Sequence, residues 1–392
     1  MSEPQGLGGF DFNQLGEMLS RLGRAFSSGG DGATLAPDAV RELAVVPDGV
    51  TQPELIHQSL DALRVAELWL DQSVAFPTPQ FPGQTWRRSE WIEGTVAAWC
   101  TVVSPLSESL GNAVGSALSS EVEPGMAGIF SQMNAMMKKI GSVMFATQLG
   151  EALKGAAQSV TGAADVGIPL IAPSRPIIIP ENVLRYADGL NIPFGEVLHY
   201  LAVREAAAAR LFAHAPWLAD AINQSVRDYS AGIHVDIAKV QGDFEQLSGD
   251  PQAVSEAISN GLFEPEESET QKAALKKLEL LIALIEGWVD EISAKAAAGQ
   301  LPHSSALREM SRRRRATEGP LQRIFQSLLG LEVSPRLARD AANFFKVQEE
   351  IHGIEYRDTL WESFGSLPLA EELKSPETFK AGRSAPDDLS GL

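Results

Sequence analysis

Cysteine is nearly absent from this chain: one residue, Cys100, in 392. A single thiol closes no intrachain disulfide and builds no cysteine-based zinc site. It suits a reducing compartment. Basic charge is also scarce. The chain carries 32 Lys and Arg against 51 Asp and Glu, a formal net charge of −19. That balance argues against general nucleic-acid binding, which needs cations to neutralise phosphates, and against docking on anionic lipid. Long apolar runs are missing too. The most apolar central stretch, Ile140 to Val160, carries Glu151 and Lys154 among many small residues and is too polar to span a bilayer. The first ten residues have neither the basic cluster nor the apolar core of a signal peptide. The cytoplasm is therefore the expected compartment. There is no Gly-x-x-x-x-Gly-Lys phosphate loop, no Gly-x-Gly-x-x-Gly fingerprint after a strand and no Gly-x-Ser-x-Gly elbow.

What is present is helical periodicity on a composition that is 44% hydrophobic, enough for a sizeable core. Residues 1–36 read as a flexible arm with an amphipathic helix, on which Phe12, Leu15, Leu19, Leu22 and Phe26 recur at three- and four-residue steps. Such a helix docks on its own domain or in a partner's groove. Residues 37–366 read as the principal domain and 367–392 as a polar, proline-punctuated tail. Within the domain, Pro37 to Phe76 is helical in pattern. Trp86 to Leu118 is a second helical run, with Trp91, Val96, Trp99 and Val103 as core anchors. Met126 to Gln158 is a helix or helix pair whose Met stripe (Met126, Met133, Met136, Met137, Met144) is core filler. Gly167–Ala172 and Ile177–Pro180, around a turn at Pro173–Pro176, predict a small β-hairpin. Helices follow over Pro180–Gly189, Pro193–Ala213 and Pro216–Ala231. Short helices and an acidic loop occupy 236–264. The strongest helix is Thr270–Ala298, whose Leu278, Leu281, Ile285, Trp288 and Ile292 share one face. Further helices run to about Trp361.

One helix carries a resemblance. Tyr200-Leu-Ala-Val-Arg-Glu-Ala-Ala-Ala-Ala-Arg-Leu-Phe212, followed by Ala215-Pro-Trp-Leu218, resembles the zincin-like hydrolases of actinobacteria, often called zinc-dependent metalloproteases. Other blocks match in the same order. They are Ser89-Glu-Trp-Ile-Glu93, Phe145–Gly150, Asp165-Val-Gly-Ile-Pro-Leu170, Ala283-Leu-Ile-Glu-Gly-Trp-Val-Asp290, and Arg312–Pro320 with Gly330–Glu332, so the likeness spans about residues 10–365. The resemblance implies a mainly α, zincin-like metalloprotease fold. It also implies a zinc site in the family at large, made by two histidines four residues apart on one helix face and a glutamate that activates the metal-bound water. The matching positions here are Arg204, Glu205 and Ala208. Glu205 stands at the general-base position, and Glu286 looks like a further acidic ligand position.

Both imidazoles are missing. Two carboxylates make a poor zinc site, since catalytic zinc holds three protein ligands. His199 lies about 120° and His214 about 180° round the helix from Glu205, at 100° per residue. His234, His303 and His352 are isolated. No cofactor is expected. Arg204, a permanent cation, is expected to neutralise Glu205, Glu286 or Asp290 where a metal otherwise would; alternatively, Arg204 and Glu205 face solvent. The Arg312–Arg315 run is a solvated face paired with acidic neighbours, or a site for a phosphate or acidic partner. Two functions remain open, beside a purely structural scaffold that docks through the 1–36 arm. One is a metal-free, non-catalytic protein that binds a protein or peptide partner in a cleft between the 193–214 and 270–298 helices, beside residues 167–180. The other is an active zinc metallohydrolase with Glu205 as base and an unusual ligand set.

Overall fold

The computed structural model describes residues 36–119, 127–233, 268–329 and 337–381. In chain order it contains α1 (Pro37–Leu43), α2 (Pro53–Leu70), β1 (Gln84–Thr85), α3 (Arg88–Ser119), α4 (Ala127–Ala157) and β2 (Ile177–Ile178). Then come α5 (Pro180–Ala187), α6 (Phe194–His214), α7 (Trp217–Ala231), α8 (Glu269–Ala297), α9 (Ser304–Glu318), α10 (Pro320–Leu329), α11 (Ala338–His352) and α12 (Ile354–Thr359). The fold is mainly α. Among the described residues no helix is long and apolar enough to cross a membrane.

The centre of the molecule is α6. Small and apolar residues occupy nearly every side of it, so it is buried from Val197 to Phe212 except for His199. It packs on α2 and α8, and α8 in turn packs on α7 and α11. Ser268 starts α8 with a capping box: its side chain accepts from the Gln271 N–H (3.2 Å), while Gln271 Oε1 accepts from the Ser268 N–H (3.0 Å). Gly287 lets α8 and α11 close up, because a Cβ there would sit 2.5 Å from Ala341 Cβ and 2.7 Å from the Ala342 nitrogen. Trp91, Val96, Trp99 and Val103 are fully buried on α3. Trp288, Trp361, Phe345 and Phe76 form a stacked and edge-on aromatic core. Burying each such ring contributes about 1.5–3 kcal/mol. Cys100 is buried, and desolvation pushes its thiol up to about 12, so it is inert.

Several expectations need correction. The predicted hairpin does not form. Ile177–Ile178 pairs in parallel with Gln84–Thr85, and Gly162 bridges Ile178 on its other side. Pro169, Pro173 and Pro176 supply no N–H, so the 167–176 segment cannot build a ladder on itself. The helix read through Pro37–Phe76 breaks at 44–52, around Pro47 and Gly49. Residues 367–381 are not a loose tail: Leu367, Leu373 and Phe379 are buried, with Phe379 edge-on to Phe344 at 5.0 Å. Met144 is exposed rather than core filler. Met126, the arm over 1–35 with its amphipathic helix, the whole 236–264 segment and residues 382–392 lie outside the described residues, as do the side chains of Met133, Met136 and Met137.

Candidate functional site

Arg204 and Glu205 are neighbours on α6, so their side chains leave the helix about 100° apart and face different partners. Both are buried, which removes the reading that they point to solvent. Arg204 turns toward α8. Its Nη2 donates to Glu286 Oε1 at 2.6 Å, and its Nη1 lies 3.8 Å from Asp290 Oδ1. Residues 286 and 290 share a face of α8 because they are one turn apart. Burial by itself weakens the hold of Arg204 on its proton; Glu286, Tyr200 and Asp290 outweigh it and hold the guanidinium more firmly charged than usual.

The basic run on α9 closes this cluster from the other side. Arg315 Nη1 meets Glu286 Oε2 at 2.9 Å and its Nη2 meets Asp165 Oδ1 at 2.9 Å. Arg314 Nη1 reaches Asp165 Oδ2 at 3.2 Å, and its Nη2 donates to the Ser159 carbonyl. Arg312 donates to Asp290 Oδ2 at 2.6 Å, joined by Arg308 at 2.7 Å. Of the four arginines from 312 to 315, only Arg313 is exposed. The expected solvated face is therefore an internal clamp, because three of the four guanidinium groups have buried carboxylates to neutralise. Burial would raise Asp165, but Arg314, Arg315 and the Thr161 amide together hold it below the usual carboxylate range. Asp290 is held down in the same way, against burial, by Arg308 and Arg312.

Glu205 does not join these ions. Its Oε1 accepts from the N–H groups of Ala163 (3.0 Å), Ala164 (3.0 Å) and Ile177 (3.1 Å), and its Oε2 accepts again from Ala164 (3.1 Å). The side chain pins the 161–177 segment to α6. Burial pushes the carboxyl up to about 8, helped by nearby Asp165 and opposed by the amide donors. Gly162 makes the approach possible: a Cβ there would overlap Glu205 Oε2 and sit 2.5 Å from the Ile177 carbonyl oxygen. Gly162→Ala is expected to cost about 1–3 kcal/mol, read as a lower denaturation midpoint at unchanged slope. An unchanged midpoint would show that the segment yields freely.

Ala208, one turn beyond Arg204, lines a cavity of only about 20 Å3 with Arg204, Glu205, Glu286, Arg315 and neighbours. It has room for a single water. The cleft expected here between α6 and α8 is thus filled by ion pairs. An open concavity lies elsewhere among the described residues, a groove of about 790 Å3 between the 77–81 loop, the 168–174 segment, α3 and the α6–α7 junction.

A family model described as zincin-like metallopeptidase matches residues 14–379. The chain belongs to the zincin-like metallopeptidase family. A solved structure from Chloroflexus aurantiacus, described as a "putative hydrolase with a novel fold", superposes with a TM-score of 0.58 over 88% of this chain and 95% of that one. The two are 17% identical, so this likeness speaks for fold alone. A search of curated proteins found no match.

The family's name implies zinc, and the residues at the motif do not fit it. A guanidinium and a methyl group stand where nitrogen donors are needed. The nearby carboxylates are already bridged by Arg204, Arg308, Arg312 and Arg315. Among the described residues no histidine lines the cavity, and His57 is exposed on α2. His199 stacks on Trp69, His214 on Phe76, His303 meets Glu196 and His352 lies by Tyr356, while His234 is outside the described residues. Among the described residues no group of three His, Cys, Asp or Glu side chains could hold a metal ion. The sequence reading missed Asp165 and the inward turn of Arg314 and Arg315. Asp165 stands in one of the blocks that carry the resemblance, but only proximity makes it a partner of α9.

Proposed function

We propose that this chain is a non-catalytic member of the zincin-like metallopeptidase family that holds no zinc and acts by binding a protein or peptide partner. The carrying observation is the buried Arg204–Glu286 pair at the motif, 2.6 Å long and backed by Arg315. A guanidinium locked by two carboxylate-bearing positions leaves no vacant donor for a Lewis acid, and Glu205 is committed to backbone amides rather than to a water. Loss of catalysis leaves recognition as the use for a retained scaffold.

The test is elemental analysis of purified protein incubated with excess Zn2+ and dialysed, combined with a fluorogenic peptide-library assay. The expected result is less than about 0.1 zinc per chain, where a structural or catalytic site would give one, and no chelator-sensitive cleavage. Stoichiometric zinc, with peptide hydrolysis lost on Glu205→Gln, would establish the active metallohydrolase instead.

A further inference from the structure

The groove of about 790 Å3 falls in the size range of ligand sites and belongs to neither the ion cluster nor the motif. Gly167 faces the cluster's small cavity, whereas Ile168 to Ser174 line the groove, so one segment forms the wall between the two. Five prolines (Pro77, Pro79, Pro169, Pro173 and Pro216) stiffen its walls. Arg210 and His214 are the only titratable residues that line it. The Arg210 guanidinium is spent on Glu67 (2.7 Å), Asp71 (2.7 Å), the Phe76 carbonyl and Thr78. No permanent charge lines the groove itself without a carboxylate partner, and at its rim the Arg175 guanidinium is stacked over the Phe81 ring at 4.8 Å.

Its wall nonetheless offers hydrogen bonds. Ile168 and Leu170 are buried, yet among the described residues the N–H groups of Ile168, Leu170, Ile171 and Ala172 and the carbonyls from 168 to 173 form no hydrogen bond within the chain. Buried backbone groups such as those of Ile168 and Leu170 are nearly always paired, whereas Ile171 is half-buried and Ala172 and Pro173 are exposed at the groove's mouth. Across the groove, Asn223 Oδ1 is buried without a partner. An occupant that satisfies these atoms must bring amide donors and acceptors together with apolar side chains for Phe81, Val102 and Ile222.

We propose that this groove binds an uncharged, apolar peptide segment whose backbone pairs with Ile168–Ala172. The proposal deepens the partner-binding reading above by fixing the surface and the chemistry of what it holds.

The probe is a fluorescein-labelled, end-blocked octapeptide of Val, Thr and Leu, titrated with full-length protein by fluorescence anisotropy. Comparison peptides carry N-methyl groups on alternate amides, or Asp and Lys in place of Thr. Saturable binding is expected, weakened at least tenfold by N-methylation and by the charged replacements. Ala219→Trp on α7 and Thr101→Trp on α3 fill the groove from two sides. Each should weaken binding at least tenfold with the melting temperature retained. Binding that is indifferent to N-methylation, or to both tryptophans, overturns the proposal. So does uptake of an apolar dye such as anilinonaphthalene sulfonate by a protein that ignores the peptides, which would make this a small-molecule pocket. Chelator-sensitive cleavage of the bound peptide would sink the non-catalytic reading while leaving the groove assignment standing. Absence of peptide binding in a zinc-free protein would do the reverse.

Discussion

Glu205→Ala is expected to destabilise the fold by at least about 3 kcal/mol, although in a working metallopeptidase this residue would serve chemistry rather than structure. Three buried backbone N–H groups, from Ala163, Ala164 and Ile177, would lose their acceptor together, and each orphaned donor costs about 1–3 kcal/mol. Glu205→Gln keeps an acceptor oxygen and is expected to fold. The two variants also separate on pH. The Glu205 carboxyl is raised by burial from 4.5 to about 8, so the folded chain holds the proton more tightly than the unfolded chain. Its contribution to stability is then full below about pH 4.5, shrinks as pH rises, and is gone above about pH 8. Urea denaturation at pH 5, 7 and 8.5 should show wild type and Glu205→Gln close together at pH 5. The glutamine variant should be more stable at pH 8.5, by an amount on the order of a few kcal/mol. Parallel pH profiles would show that Glu205 is ionised throughout and that its amide donors, not burial, set its state.

The second large effect belongs to Arg204. Arg204→Met strands Glu286 with Arg315 alone and removes a cation from beside Asp290, both in the interior. Breaking a buried pair from one side costs about 3–5 kcal/mol, and the low end applies because Arg315 remains. Glu286→Met should also destabilise, and the double variant should lose less than the two single losses combined. A coupling energy of at least about 1 kcal/mol from the double-mutant cycle is the expected reading. Arg204→Lys keeps the charge but not the planar fork, so it should fall between wild type and methionine. Additive single effects would mean that the 2.6 Å contact stabilises nothing on its own.

The helices were legible because period and punctuation are local properties. Thr270–Ala298 kept one apolar face and emerged as Glu269–Ala297; Pro193 and Pro216 bracketed α6 and opened α7. The β-hairpin failed because proline marks where a ladder stops but not which strand it pairs with, and residues 84–85 lie far away in the chain. The Met144 assignment failed for a related reason. A helix whose apolar residues are spread round its axis instead of gathered on one face does not announce which side a neighbour will cover.

At the site the same division holds. Sequence by itself determined that residues 204 and 208 carry no imidazole, that one cysteine cannot replace them, and that Arg204 must find anions if buried. Identity and charge are written into the residues, and helical spacing sets which of them share a face. Only the tertiary structure decided that Arg204 and Glu205 part company, one to α8 and the other to the 161–177 amides, and that Arg315 arrives from α9. It also decided that the open groove lies on the far side of the 168–174 wall. Ion pairs and cavities depend on distances between segments remote in the chain, and no local periodicity encodes those distances.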